Sequence, residues 1–156
     1  MNIRMAQKSD IPRLNHLLYQ VHKVHADERP DLFRPGCKKY TSEDLQEILQ
    51  DPQKPIYVAV DENDSVMGYC FCLLEEVPEG TSLVPRKSVY IDDLCVDETC
   101  RGQHIGSLLY EHVVQQARNM GCYHITLNVW TLNPTAQAFY EKMGMKPLKT
   151  VMEQIL

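Results

Sequence analysis

Val89-Tyr90-Ile91-Asp92-Asp93-Leu94-Cys95-Val96 leads through Asp97 to Cys100 into Arg101-Gly102-Gln103-His104-Ile105-Gly106, and Ser107 to Met120 follows. The first stretch is an apolar run of strand length, and the last carries apolar residues at helical spacing. A strand, a short glycine-bearing turn and a helix start aim backbone N–H groups at one spot, where the helix dipole favours a pyrophosphate. The expected ligand class is therefore a phosphate-bearing cofactor. Ile105, Leu108, Leu109, Val113 and Ala117 are the expected buried face of the helix, with Gly121 as its C-terminal cap.

Outward from this segment the chain alternates strands and helices. Upstream, Asn2 to Ala6 reads as a strand, and Ser9 with Pro12 opens a helix striped by Ile11, Leu14, Leu17, Leu18 and Val21. His25 to Lys39 is a polar stretch broken by Pro30, Pro35 and Gly36, and a short helix from Thr41 or Ser42 ends at Pro52 and Pro55. Ile56 to Val60 and Val66 to Glu76, joined by Asp61-Glu62-Asn63-Asp64-Ser65, make a hairpin, and Val77 to Lys87 is a loop. Downstream, Tyr123 to Val129 is a strand, Asn133-Pro134 opens a helix with Ala136, Phe139, Tyr140 and Met143 inward and Gly144 at its end, and Met145 to Leu156 offers a last strand. The order predicts one mixed α/β domain over residues 1–156, built on a central sheet.

Composition narrows the function classes. A chain of 156 residues, 44% hydrophobic and 24% charged, is ordinary for a folded domain, and a net charge of −5 without a basic stripe argues against nucleic-acid binding. The N-terminus lacks an apolar signal core, and the longest apolar run, Val66 to Leu74, is too short to span a bilayer. A cytoplasmic protein that does not contact membranes is expected. The six cysteines form no Cys-x-x-Cys pair and read as reduced, mostly buried thiols, and His22 and His25 lack partners at metal-ligand spacing. No metal site is expected.

Two segments then carry a resemblance. Val96 to Gly106 is similar to the acetyl-CoA signature of the GNAT N-acetyltransferase superfamily, Val-x₄-(Gln/Arg)-x-x-Gly-x-(Gly/Ala). Asn133-Pro134-Thr135-Ala136-Gln137-Ala138-Phe139-Tyr140-Glu141-Lys142-Met143-Gly144 resembles its second motif, Asn-x-x-Ala-x-x-(Phe/Leu)-Tyr-x-x-x-Gly. The element order matches over essentially the whole chain. The resemblance implies the acyl-CoA N-acyltransferase fold, a central mostly antiparallel sheet flanked by helices, with acetyl-CoA as cofactor and direct acetyl transfer to a primary amine. His104 stands where the family's central glycine is usual, so its side chain either crowds the pyrophosphate or lends it an imidazole N–H. Gly102 and Gly106 keep the turn open.

Carried over residue by residue, the resemblance implies cofactor contacts from Leu94, Cys95, Val96, Arg101, Gly102, Gln103, His104, Ile105, Gly106, Ser107, Asn133 and Tyr140, with Tyr140 as the acid for the leaving thiolate. Asn133 either meets the cofactor arm or begins its helix. Tyr90 to Val96 is similar to the Tyr-(Leu/Ile)-Glu-Asp-(Phe/Leu)-x-Val strand of spermidine/spermine acetyltransferases, which implies Asp92 as proton relay and Asp93 as anchor for a cationic amine. Strand alternation puts the two acids on opposite faces unless a bulge intervenes. Phe33, Glu75 and Trp130 are further candidates to line the acceptor cleft. The expected acceptor is a small cationic amine. A protein N-terminal or lysine amine is the alternative, against which stands Asn128 where some N-terminal acetyltransferases carry a glutamate; a non-catalytic CoA-binding module is the other. A homodimer is a family-level expectation.

Overall fold

The computed structural model describes residues 1–156. β2 (Ile56–Val60) is buried at every position, because its alternate side chains serve two separate cores. Ile56, Val58 and Val60 face Leu14, Leu17, Leu18 and Leu45, while Tyr57 and Ala59 face Leu109 and Val113. A strand covered on both faces has no polar side, so its sequence is continuously apolar. Around it the sheet runs β1 (Asn2–Met5), β2, β3 (Val66–Val77), β4 (Arg86–Val96), β5 (His124–Leu127). The first four strands pair antiparallel, and β4 pairs parallel with β5.

One face is covered by α1 (Ile11–Glu28) and α2 (Ser42–Ile48), the other by α3 (Ile105–Asn119). α4 (Pro134–Lys142) packs Phe139 and Tyr140 onto the α3 side. Thr41 caps α2 by accepting from the Asp44 amide at 3.0 Å, and the Asp44 carboxylate in turn accepts from the Thr41 amide at 2.8 Å. Gly121, at φ +70°, lies just past the end of α3, in the left-handed conformation that glycine tolerates best.

Several expectations change. Ser9 does not cap α1. It lies in a single 3₁₀ turn, Lys8–Asp10, and Asp10 precedes the helix, its carboxylate bonded to Arg4 and the Gln7 amide. α1 continues through His25 to Glu28, because the chain-breaking Pro30 comes only after it. On α3, Leu108 is exposed and Tyr110 is buried in its stead. Strand β4 begins at Arg86, inside the stretch expected to be a loop. Residues 146–156 form no strand: Leu148, Val151, Met152, Ile155 and Leu156 stand exposed, and Glu153 is held by Arg29 at 2.6 Å.

Candidate active site

The site follows from where β4 and β5 stop pairing. Their parallel register runs from Ser88↔His124 to Ile91↔Leu127 and no further, although β4 continues to Val96. Beyond Ile91 one edge of β4 has no strand beside it, and a cleft of about 420 Å³ opens there. β4, β5 with the residues after it, α1 and α4 all contribute to its walls.

The register between β3 and β4 slips within this stretch. Phe71 pairs with Asp93 and Cys72 with Ile91, leaving Asp92 with no partner. This is a β-bulge, and it cancels the alternation that would have sent the two acids to opposite faces. Asp92 and Asp93 both line the cleft.

Their surroundings differ. Asp92 Oδ1 accepts from Lys39 Nζ at 2.7 Å and Oδ2 from the Tyr40 hydroxyl at 2.5 Å. Asp93 has no cation bonded to it and accepts from the Tyr69 hydroxyl at 2.9 Å. Burial raises the Asp93 carboxyl to about 6, against the pull of the Tyr69 hydrogen bond, so it exchanges a proton close to neutrality. Tyr140 enters the cleft from α4, and burial pushes its phenol well above the ordinary range, so it holds its proton at neutral pH.

The turn before α3 has the character of an anion cradle. Gly102 takes φ +81° and His104 φ 60°, both left-handed, and none of the amides from Gly102 to Ser107 donates to a backbone acceptor of this chain. A Cβ on Gly102 would meet nothing within 4 Å. Asp97, the nearest acid in the interior, is turned away: its oxygens accept from Thr99 and Arg13, which hold its carboxyl down at about 2. From Thr99 to Tyr110 the chain carries Arg101 and no carboxylate. Free amides, a helix N-terminus and a lone guanidinium fit the pyrophosphate of coenzyme A.

The remaining predicted residues separate. Leu94, Phe33, Trp130 and Asn133 line the cleft. Cys95 is buried in the core on the α1 side, its thiol against the Leu17 carbonyl, and Ile105 is in the core on the α3 side, so only their backbones are open to a ligand. Val96 is half-buried, Ser107 likewise, and Arg101 and Gln103 are exposed at the turn. A Cβ on Gly106 would lie 3.5 Å from the Phe139 ring, in ordinary contact, which brings α3 against α4. Asn133 begins its helix, its Oδ1 accepting from the Ala136 amide at 3.1 Å. Glu75 lies outside the cleft lining, exposed and paired across the sheet with Ser88. Asn128 donates to the Tyr90 hydroxyl at 3.2 Å.

Sequence reading missed Lys39, Tyr40 and Tyr69. Lys39 and Tyr40 reach Asp92 from 53 and 52 residues away, and nothing local marks them. His25 stacks on Phe33, centroids 5.1 Å apart, and Phe33 meets Trp130 edge-on at 5.2 Å.

Comparison with known proteins places the chain in company. A family profile described as the acetyltransferase (GNAT) family matches residues 18–145. The chain is 32% identical over 105 residues to the peptidyl-lysine N-acetyltransferase YjaB of Salmonella typhimurium, covering 66% of this chain and 59% of that one. It is 36% identical over 90 residues to the glucosamine 6-phosphate N-acetyltransferase of Arabidopsis thaliana, covering 49% and 58%. The chain thus spans about three fifths of the length of these curated relatives. A crystal structure of a variant of the BH1408 protein from Bacillus halodurans superposes with a TM-score of 0.95 at 36% identity, over 100% of this chain and 99% of that one.

Proposed function

This chain belongs to the acetyltransferase (GNAT) family, and on that premise we propose that it transfers acetyl from acetyl-CoA directly to the primary amine of a small cationic acceptor. The observation that carries the reading is the bulge at Asp92, which sets Asp93 in one cleft with Tyr140, beside the free amides of the α3 turn.

Bound acetyl-CoA would supply an acetyl group activated as a thioester. The amides of Gly102 to Ser107, with Arg101, suit its pyrophosphate, and the unpaired edge of Leu94 to Val96 suits its pantetheine arm. The chain's own part is proton handling. An alkyl amine with a pKa near 10.4 is an ammonium at pH 7, and freeing its lone pair costs about 4–5 kcal/mol. Asp93 pairs with that ammonium and receives its proton, alone or through water. The resemblance gives this relay to Asp92; the Lys39 and Tyr40 bonds on Asp92 favour Asp93 instead, with Asp92 positioning Lys39. Tyr140, protonated at neutrality, is the donor for the sulfur that leaves.

A cytoplasmic site of action is part of this reading, supported by six free cysteines. A homodimer is another, supported by the exposed apolar residues of the C-terminal segment. No helix is long and apolar enough to cross a membrane. The second reading, a peptide lysine as acceptor, draws on the Salmonella relative.

The test is acetyl-CoA-dependent thiol release across polyamines, monoamines, aminoglycosides, amino acids and lysine peptides, with Tyr140→Phe alongside. Turnover of a small amine that collapses in the variant supports the reading. Turnover of peptides alone moves the acceptor to protein, and coenzyme A binding without thiol release from any amine overturns catalysis.

A further inference from the structure

Two carboxylates face the cleft, and one of them arrives already paired. Lys39 Nζ donates to Asp92 Oδ1 at 2.7 Å and to the Asp92 main-chain oxygen at 3.2 Å, and it lies 5.6 Å from the centre of the Tyr40 ring. Tyr40 OH takes the remaining carboxylate oxygen. All three oxygens of Asp92 therefore have donors from this chain. Asp93 alone is left without a cation.

The wall beyond the acids is apolar and aromatic. Phe33 is the hub, stacked on His25 and edge-on to Trp130, and Trp130 keeps 39% of its surface exposed. Burial, with His22 close by, lowers the His25 pKa, so this ring adds no charge at neutral pH.

We infer that Lys39 sets the acceptor's charge: the cleft admits an amine with a single ammonium and an apolar or aryl body, and disfavours diamines and polyamines. This rests on the amine-acceptor reading above and narrows it. The single ammonium meets Asp93, the one unpaired carboxylate. The body lies against Phe33 and Trp130, which both line the cleft. A second ammonium would find Asp92 neutralised and Lys39 in its way, and like charges brought together in a partly desolvated cleft repel strongly. Lys39 is thus a built-in occupant of the place a second amine would take.

The test compares three ligands of one length: hexylamine, 1,6-diaminohexane and 6-aminohexanoate. Binding heats are measured with and without coenzyme A, and thiol release is measured with acetyl-CoA, on the natural chain, Lys39→Met and Trp130→Ala. We expect hexylamine to bind about tenfold more tightly than the diamine, and Lys39→Met to shift that ratio toward the diamine by about tenfold or more. Trp130→Ala should weaken hexylamine while leaving the ratio in place. A diamine bound as well as hexylamine by the natural chain, a ratio unmoved by Lys39→Met, or no binding of any ligand overturns the inference. Binding in the expected order without thiol release keeps the charge selection and overturns the acetyl-transfer reading instead.

Discussion

The Tyr69 hydroxyl on β3 donates to the Asp93 carboxylate on β4 at 2.9 Å, yet burial still leaves that carboxyl raised to about 6. One hydrogen bond does not offset the removal of the charge from water. The folded chain therefore binds this proton more tightly than the unfolded chain does.

Stability should consequently fall as pH rises through about 6, since the folded pKa lies above the unfolded value near 3.8. The Asp93 contribution is fully favourable below pH 3.8 and is lost above 6, a change of about 3 kcal/mol. Asp93→Asn removes the penalty. Urea midpoints should show the variant more stable than the natural chain at pH 8, with the gap closing at pH 4. An equal gap at both values would show that Asp93 is not the titrating group.

The same carboxyl should shape the rate profile. In the reading above, kcat/KM declines on the acid side of about pH 6 as Asp93 takes up its proton, and Asp93→Asn abolishes that limb along with most of the rate. Asp92→Asn, which leaves Asp93 ionisable, should keep the acid limb. Loss of the limb in the Asp92 variant would return the relay to Asp92.

Tyr140→Phe should lower kcat by about 10²–10⁴-fold, the range for a lost general acid, with a small change in the KM for acetyl-CoA. The buried phenol is lost without an added cavity, so the thermal midpoint serves as the control for folding. A variant that turns over at the natural rate would remove Tyr140 from the chemistry.

His104 holds a left-handed backbone at φ 60° with no side-chain hydrogen bond capping α3. Glycine relieves a strain of about 1–2 kcal/mol there and returns part of it as unfolded-chain entropy. His104→Gly should therefore stabilise the chain by about 0.5 kcal/mol. Calorimetric titration of coenzyme A then separates the two roles open to the imidazole: weaker binding in the variant means that it helps hold the ligand, and tighter binding means that it crowds it.

Gly68 fails differently. A Cβ there would sit 2.8 Å from the Cys95 carbonyl and 3.3 Å from the Val96 Cα, both backbone atoms that cannot swing aside. Gly68→Ala should cost about 1–3 kcal/mol and displace the end of β4 that borders the cleft. Denaturant unfolding and coenzyme A affinity should worsen together.

Local pattern carried much of this structure. The Asp61–Ser65 turn, the start of α2 at Thr41 or Ser42 and the glycine-bearing turn before α3 each work within a few residues, and each was legible as sequence. What was not legible depends on distant partners. The bulge at Asp92 comes from how β3 docks on β4, and alternation along β4 alone left the faces of its two acids open. The tie from Lys39 to Asp92 spans 53 residues. Met145 to Leu156 has apolar residues enough for a strand, but apolar content does not supply a neighbour to pair with, and residues 146–156 stay irregular. Glu75 was grouped with the cleft by its chemistry, while its register opposite Ser88 carries it elsewhere.

Since Asp92 has no opposite number on β3, β4 runs one step out of phase on its two sides. Tyr90 to Leu94 is accordingly a passage where the count of residues matters as much as their kind. Removing Ile91, for instance, would close the bulge and restore plain alternation, sending Asp92 and Asp93 to opposite faces. Substitution merely retunes this protein's acid, whereas a change of length moves it through the sheet. Variation among related chains should therefore fall on the identity of these five residues and spare their number.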